Sequence, residues 1–174
     1  IPVEAGEGEK AWKYGPGIFK DSGYPPPSEW GDGPWVAEPD KLQWKTSVGL
    51  VGLTIRSKMG NLCGYVGLPE GHPLHGRPYG GIECDVDVHG GLTFGSACEP
   101  GGLICHVAEP GESEHVYWLG FDCAHWWDVS PGREAAMRHL FFPSCPDGDF
   151  ASYKDVTYVR AEVERLAEQL RVLV

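Results

Sequence analysis

The hydrophobic and polar positions of this chain change period several times, and each change marks an element. Between 82 and 94, Ile82, Cys84, Val86 and Val88 alternate with Glu83, Asp85, Asp87 and His89. A period of two predicts a strand with one apolar face and one face carrying carboxylates and an imidazole. Gly90 and Gly91 follow, where the backbone bends or another group comes close. Upstream, residues 42–44 and 48–57 read as strands, and Met59-Gly60-Asn61 turns the chain into a hairpin strand over 62–68. Residues 68–81 hold three prolines and two histidines among glycines, which predicts a long loop of functional type. A short strand is predicted over 103–107, and a strongly strand-like run over 115–121 pairs with it as a hairpin. A short helix is predicted over 134–140, with Pro143 and Pro146 interrupting anything regular after it. The clearest element is last. Val156, Val159, Val163, Leu166 and Leu170 recur at helical steps, with Ser152 and Asp155 as a capping signal and Arg160, Glu162, Glu164, Arg165 and Glu168 on the remaining face.

Residues 1–39 follow neither period. They are crowded with Gly and Pro, and Pro26 and Pro27 favour extended backbone. Yet the segment carries Trp12, Tyr14, Phe19, Tyr24, Trp30 and Trp35, and a disordered tail would be poor in rings. It reads as an irregular arm whose rings pack on the domain; the functional alternative is an aromatic surface for a sugar, a base or a peptide. The predicted fold is therefore α+β: a mostly antiparallel β-sheet built from hairpins, covered by a C-terminal amphipathic helix, with residues 40–174 as one domain behind the 1–39 arm.

Composition narrows the function. The 174 residues fit a single domain with a real core. A net charge of -11 repels phosphates and excludes non-specific nucleic acid binding. No apolar run reaches the length of a membrane span. The first residue is Ile1, not Met, so a trimmed, processed or excised chain is expected. The six cysteines (63, 84, 98, 105, 123, 145) form no CxxC pair, which leaves thiolate zinc and thioredoxin-type sites without support. Free thiols in a reducing compartment are the plainer expectation for a domain of this size, although Cys98 and Cys105 bracket a stretch short enough to close a small loop. Oligomeric state is not set by any of these features.

The densest acid and imidazole content lies in 82–94 and in 120–128, GFDCAHWWD. His89, Asp122 and His125 supply two imidazoles and a carboxylate, the donor set of a catalytic zinc or another divalent metal with an open position. Asp85, Asp87 or Asp128 would orient the imidazoles or act as general base, with Asp87 and Asp128 as the catalytic candidates. If 122–128 is helical, Asp122, His125 and Asp128 share one face. The competing structural reading has Asp122 capping the following turn and His89 bonding a loop carbonyl. His72 and His75 are a second pair, as loop ligands or as turn histidines against neighbouring rings. Cys123 beside His125 is poorly spaced for a thiol–imidazole pair. Glu83, Asp85 and Asp87 would suit a hard cation, or solvent. Trp126 and Trp127 wall a ligand pocket or belong to the core. No GxSxG, GxGxxG or GxxxxGK[ST] occurs.

The stretches GPWVAEPDK (33–41), LCGYVGLPEGHPLHG (62–76), DVDVHGGLTF (85–94), ICHVAEPGE (104–112), WLGFDCAH (118–125) and YKDVTYVRAEVERLAEQL (153–170) resemble an uncharacterised family of small phage and actinobacterial proteins. The resemblance runs from about residue 33 onward, and the HGGLTF and GFDCAH pairing is its most specific part. It brings no established activity. It implies a single cytoplasmic domain with reduced thiols. Members often carry Gly-Asp shortly after GFDCAH, where this chain has Trp126 and Trp127 before Asp128. Two functions are expected to compete: a metal-dependent hydrolase acting on a small-molecule substrate, and a non-enzymatic phage or bacterial accessory protein that binds a host protein or small ligand.

Overall fold

A computed structural model describes residues 1–82, 85–140 and 151–172. Within it the chain is α+β, dominated by one seven-stranded antiparallel sheet in the order β1-β2-β3-β4-β5-β7-β6. The strands are β1 (Pro2–Val3), β2 (Lys10–Trp12), β3 (Lys41–Lys45), β4 (Val51–Arg56), β5 (Leu62–Pro69), β6 (Phe94–Ala97) and β7 (Val116–Asp122). The helices are α1 (Pro131–His139) and α2 (Val156–Val172). The N-terminal segment is thus not wholly irregular. Its two short strands extend the sheet beyond β3, and only the stretch after Trp12 runs through turns of 3-10 helix.

Both sheet faces are covered, which is why the inner strands are apolar at nearly every position. On one face Leu62, Val66, Leu68, Leu119 and Phe121 meet Val159, Val163, Leu166 and Leu170 of α2 in a single buried cluster. The helix comes close because β5 has Gly64 beneath it; a Cβ there would lie 2.7 Å from Val163. On the other face Leu53, Ile55, Tyr65, Val116 and Trp118 are roofed by Tyr14, Phe94, Cys98 and Ile104. Asp155 caps α2 through the Tyr158 N–H at 2.8 Å, while Ser152, the first residue of the predicted capping pair, lies before the helix in an isolated bridge to Asp128.

Three expectations are corrected. Residues 85–93 are not a strand of the sheet. Their alternation is real, with Val86 and Val88 buried and Asp85 and Asp87 exposed, but the backbone partners of Asp87 and His89 are side chains of α2. Gln169 accepts from the Asp87 N–H and donates to the Asp87 carbonyl, and Glu162 accepts from the His89 N–H. A helix edge thus replaces the neighbouring strand, and the period of two follows from burial on one side alone. Residues 103–107 form no strand either, so β7 finds its hairpin partner in β6. Their carbonyls are held instead by Lys41, at Leu103 and Cys105, and by Gln43, at Val107. Finally, Cys98 and Cys105 form a disulfide rather than staying reduced, while Cys63 and Cys123 are free. Glu83, Cys84, Pro143, Cys145 and Pro146 lie outside the described residues. Among the described residues, no helix is long and apolar enough to cross a membrane.

Candidate metal centre

Two segments meet beside α2. The first is 85–93, which brings His89. The second is the turn that follows β7, closed by the Asp128 N–H on the His125 carbonyl at 2.9 Å, which brings His125 and Asp128. It is a turn rather than a helix, and Arg133 of α1 clamps it by donating to the carbonyls of Ala124 and Asp128. One ring nitrogen of His89, one of His125 and an oxygen of Asp128 all lie within 4.8 Å of one another.

Asp128 is the hub. Its side chain is fully buried, and its Oδ2 lies 2.9 Å from His89 Nε2 and 2.9 Å from His125 Nδ1. The same oxygen accepts the His125 backbone N–H at 3.1 Å. Its Oδ1 has the Lys154 ammonium at 3.2 Å, but out of line for a hydrogen bond. Burial works to raise the Asp128 pKa, yet the bonds from His89 and His125 outweigh it and hold the carboxyl below its ordinary range. A carboxylate only accepts, so in the ion-free state both ring nitrogens that face it carry protons. His89 Nδ1 pairs with the Tyr158 hydroxyl at 2.8 Å; in the neutral imidazole with its proton on Nε2, the hydroxyl is the donor.

The surround fixes the rings. Trp127 stacks on His125 with centroids 4.6 Å apart and planes 3° apart. Gly90 sits under the His125 ring with φ at 66°, and a Cβ there would overlap the imidazole. That residue answers two demands at once, left-handed backbone and close approach. Trp126 is 78% exposed beside the cluster.

The sequence-predicted residues divide as follows. His89 and His125 come together as expected. The carboxylate that joins them is Asp128, placed by the sequence as a possible base. Asp122, expected as the third ligand, has an oxygen 4.0 Å from His125 Nδ1 and accepts the Ala124 N–H, which is the capping role. Asp87 points to Arg165 on the outer side of α2, with 86% of its side chain exposed. Asp85 is exposed. His72 locks its own loop, bonding the Leu74 N–H and the Leu170 carbonyl. His75 lies against Tyr117 with centroids 5.9 Å apart. Cys123 is buried, and burial, then nearby Asp128, push its thiol well up, so it is no nucleophile.

Sequence reasoning missed Tyr158, Lys154 and Arg133. One signal was present: Tyr158, Glu162, Arg165 and Gln169 fall at helical spacing and form a polar stripe beside the apolar one. A stripe that grips another segment reads the same as a solvated one until the fold is known. Comparison with protein families, curated proteins and solved structures gives no match to this chain.

Proposed function

We propose that His89, His125 and Asp128 hold one divalent transition metal, zinc in the first instance, and that the protein is a metal-dependent hydrolase. The observation that carries the reading is the convergence of three donors from two separate segments, all within 4.8 Å of one another. Two imidazoles and one carboxylate match a catalytic zinc with room for a water. Such an ion supplies a nucleophile by lowering the pKa of bound water. The chain's own residues would do the rest. His89 would present its Nε2 lone pair once its proton moves to Nδ1, where the Tyr158 oxygen can accept it. Lys154 keeps Asp128 charged, and Asp122, partly exposed and next to His125, is positioned to take a proton from water. With a net charge of -11, a neutral small molecule suits the surface better than a polyanion.

A second reading rests on the exposed Trp126. Here the cluster locks the turn, and Trp126 and Tyr158 face a host protein or a small ligand, in keeping with a phage or bacterial accessory protein. Cytoplasmic residence belongs to the same proposal, and the Cys98–Cys105 disulfide weighs against it, since such bonds persist mainly in oxidising compartments.

Elemental analysis of the purified protein separates the two readings. About one zinc per chain, lost in folded His89→Ala and His125→Ala, supports the metal site and directs substrate screening to esters and phosphodiesters. A wild-type protein that stays metal-free after zinc is supplied removes the hydrolase reading.

A further inference from the structure

Away from the His–Asp cluster, the N-terminal segment shapes an open pocket of about 460 Å³, within the size range of small-molecule sites. Its walls include Tyr14, Phe19, Trp30 and Trp35, with Pro16, Pro26 and Pro27 between them. The rings are already fixed. Phe19 and Trp30 meet edge to face at 5.4 Å, and Trp35 stands edge-on to Tyr153 at 5.1 Å. A ligand would therefore enter a preformed site without ordering it.

The polar groups of the cavity are unequal in kind. Prolines have no N–H. The Trp30 indole donates to the Pro25 carbonyl at 2.8 Å and the Trp35 indole to the Gly31 carbonyl at 3.0 Å, so both indoles offer only carbon. Asp40 is consumed by Arg56 and by the Tyr14 N–H. Lys13 remains at the edge. Its ammonium gives two N–H groups to the carbonyls of Trp35 and Val36, at 3.3 and 3.2 Å. Asp40 at 4.0 Å is too far for the third. The cavity thus combines flat apolar walls with a spare cationic donor at its edge and a Ser28 in its lining. A cation would be opposed by Lys13, and a polyanion by the acidic surface. We propose that this cavity binds a flat aromatic monocarboxylate, its ring against the aromatic and proline walls and its carboxylate on Lys13.

The test uses calorimetric titration of the full chain with three probes that share one ring system and differ in charge: 2-naphthoate, 2-naphthylmethanol and 2-naphthylmethylammonium. The expected result is one saturable site per chain and a preference for the acid over the amine of about tenfold, the scale of one charge-assisted hydrogen bond. Trp35→Ala weakens naphthoate binding at least about tenfold, and Lys13→Met removes the preference for the acid while retaining the alcohol. Should Trp35→Ala fail to fold, Trp35→Leu carries the same test, since it keeps an apolar side chain at this half-buried position and removes the flat wall. Absence of saturable binding, equal binding of acid and amine, or full naphthoate affinity in the wall variants overturns the proposal. None of these outcomes depends on metal at His89, His125 and Asp128.

Discussion

Two buried polar clusters sit at opposite ends of one scale of satisfaction. In the first, Arg56 is 2% exposed and donates from Nε to Asp40 at 2.6 Å and from Nη1 to Tyr153 at 2.8 Å. Its Nη2 reaches Glu38. Tyr153 donates to Glu38 Oε1, Glu38 Oε2 accepts the Val156 N–H at the start of α2, and Asp40 Oδ2 accepts the Tyr14 N–H. Every polar side-chain atom of that network has a partner, and the partners join β4, α2 and the N-terminal segment. In the second, three donors crowd onto one oxygen of Asp128, the other oxygen faces only the Lys154 ammonium at 3.2 Å, and Trp126 stands in solvent beside the cluster. Burial alone does not separate the two. A closed network is a fastening, because nothing is left over to bind anything else. A cluster that crowds three donors onto one oxygen is less evenly satisfied, and a ligand that relieves the crowding has something to gain there.

The comparison breaks most directly at Arg56. Arg56→Met leaves Glu38 and Asp40 buried without their cation, and a loss of about 3–5 kcal/mol is expected in urea unfolding. A loss below about 1 kcal/mol would mean that the network is not the fastening described. Next in size is Gly90→Ala. Left-handed backbone and overlap with the His125 ring together cost roughly 1–3 kcal/mol, and zinc affinity should fall with it. Unchanged zinc affinity would show that the ring position does not govern the site.

His125→Ala should cost only about 1 kcal/mol of stability in metal-free buffer, since Asp128 keeps His89 and Lys154. Zinc at 100 times its dissociation constant should stabilise the wild type by about 2.7 kcal/mol and leave this variant unmoved. Equal stabilisation of both proteins would place the ion elsewhere. The smallest effect belongs to Glu164, a half-buried carboxylate of α2 outside both clusters. Burial works to raise its pKa, but the Ser47 N–H and the Trp44 indole, at 3.0 and 2.8 Å, hold it below the ordinary 4.5. Its stabilising contribution is therefore full above pH 4.5 and fades as pH falls through the lower folded value. Glu164→Gln should flatten that part of the stability profile, measured as unfolding midpoint against pH, and an unaltered profile would assign the acid sensitivity to other carboxylates.

The sequence by itself determined the elements whose side-chain period is tied to burial. α2 is legible because Val159, Val163, Leu166 and Leu170 must share a face to be buried, and β3, β4, β5 and β7 because their apolar runs face two covered sides. It also marked His89 and His125, since imidazoles and acids gather there. What it left open was decided by contacts between distant segments. Period two in 85–93 records burial on one side, and only the fold shows that Glu162 and Gln169, rather than a strand, fill the other hydrogen bonds. The choice of Asp128 over Asp122 turns on a few ångströms, set by the turn that Arg133 clamps. The pairing of Cys98 with Cys105, and the cavity among rings that composition marked only as aromatic, depend likewise on where the chain returns in space. Local pattern reports which side of a residue is dry, and tertiary structure decides what stands there.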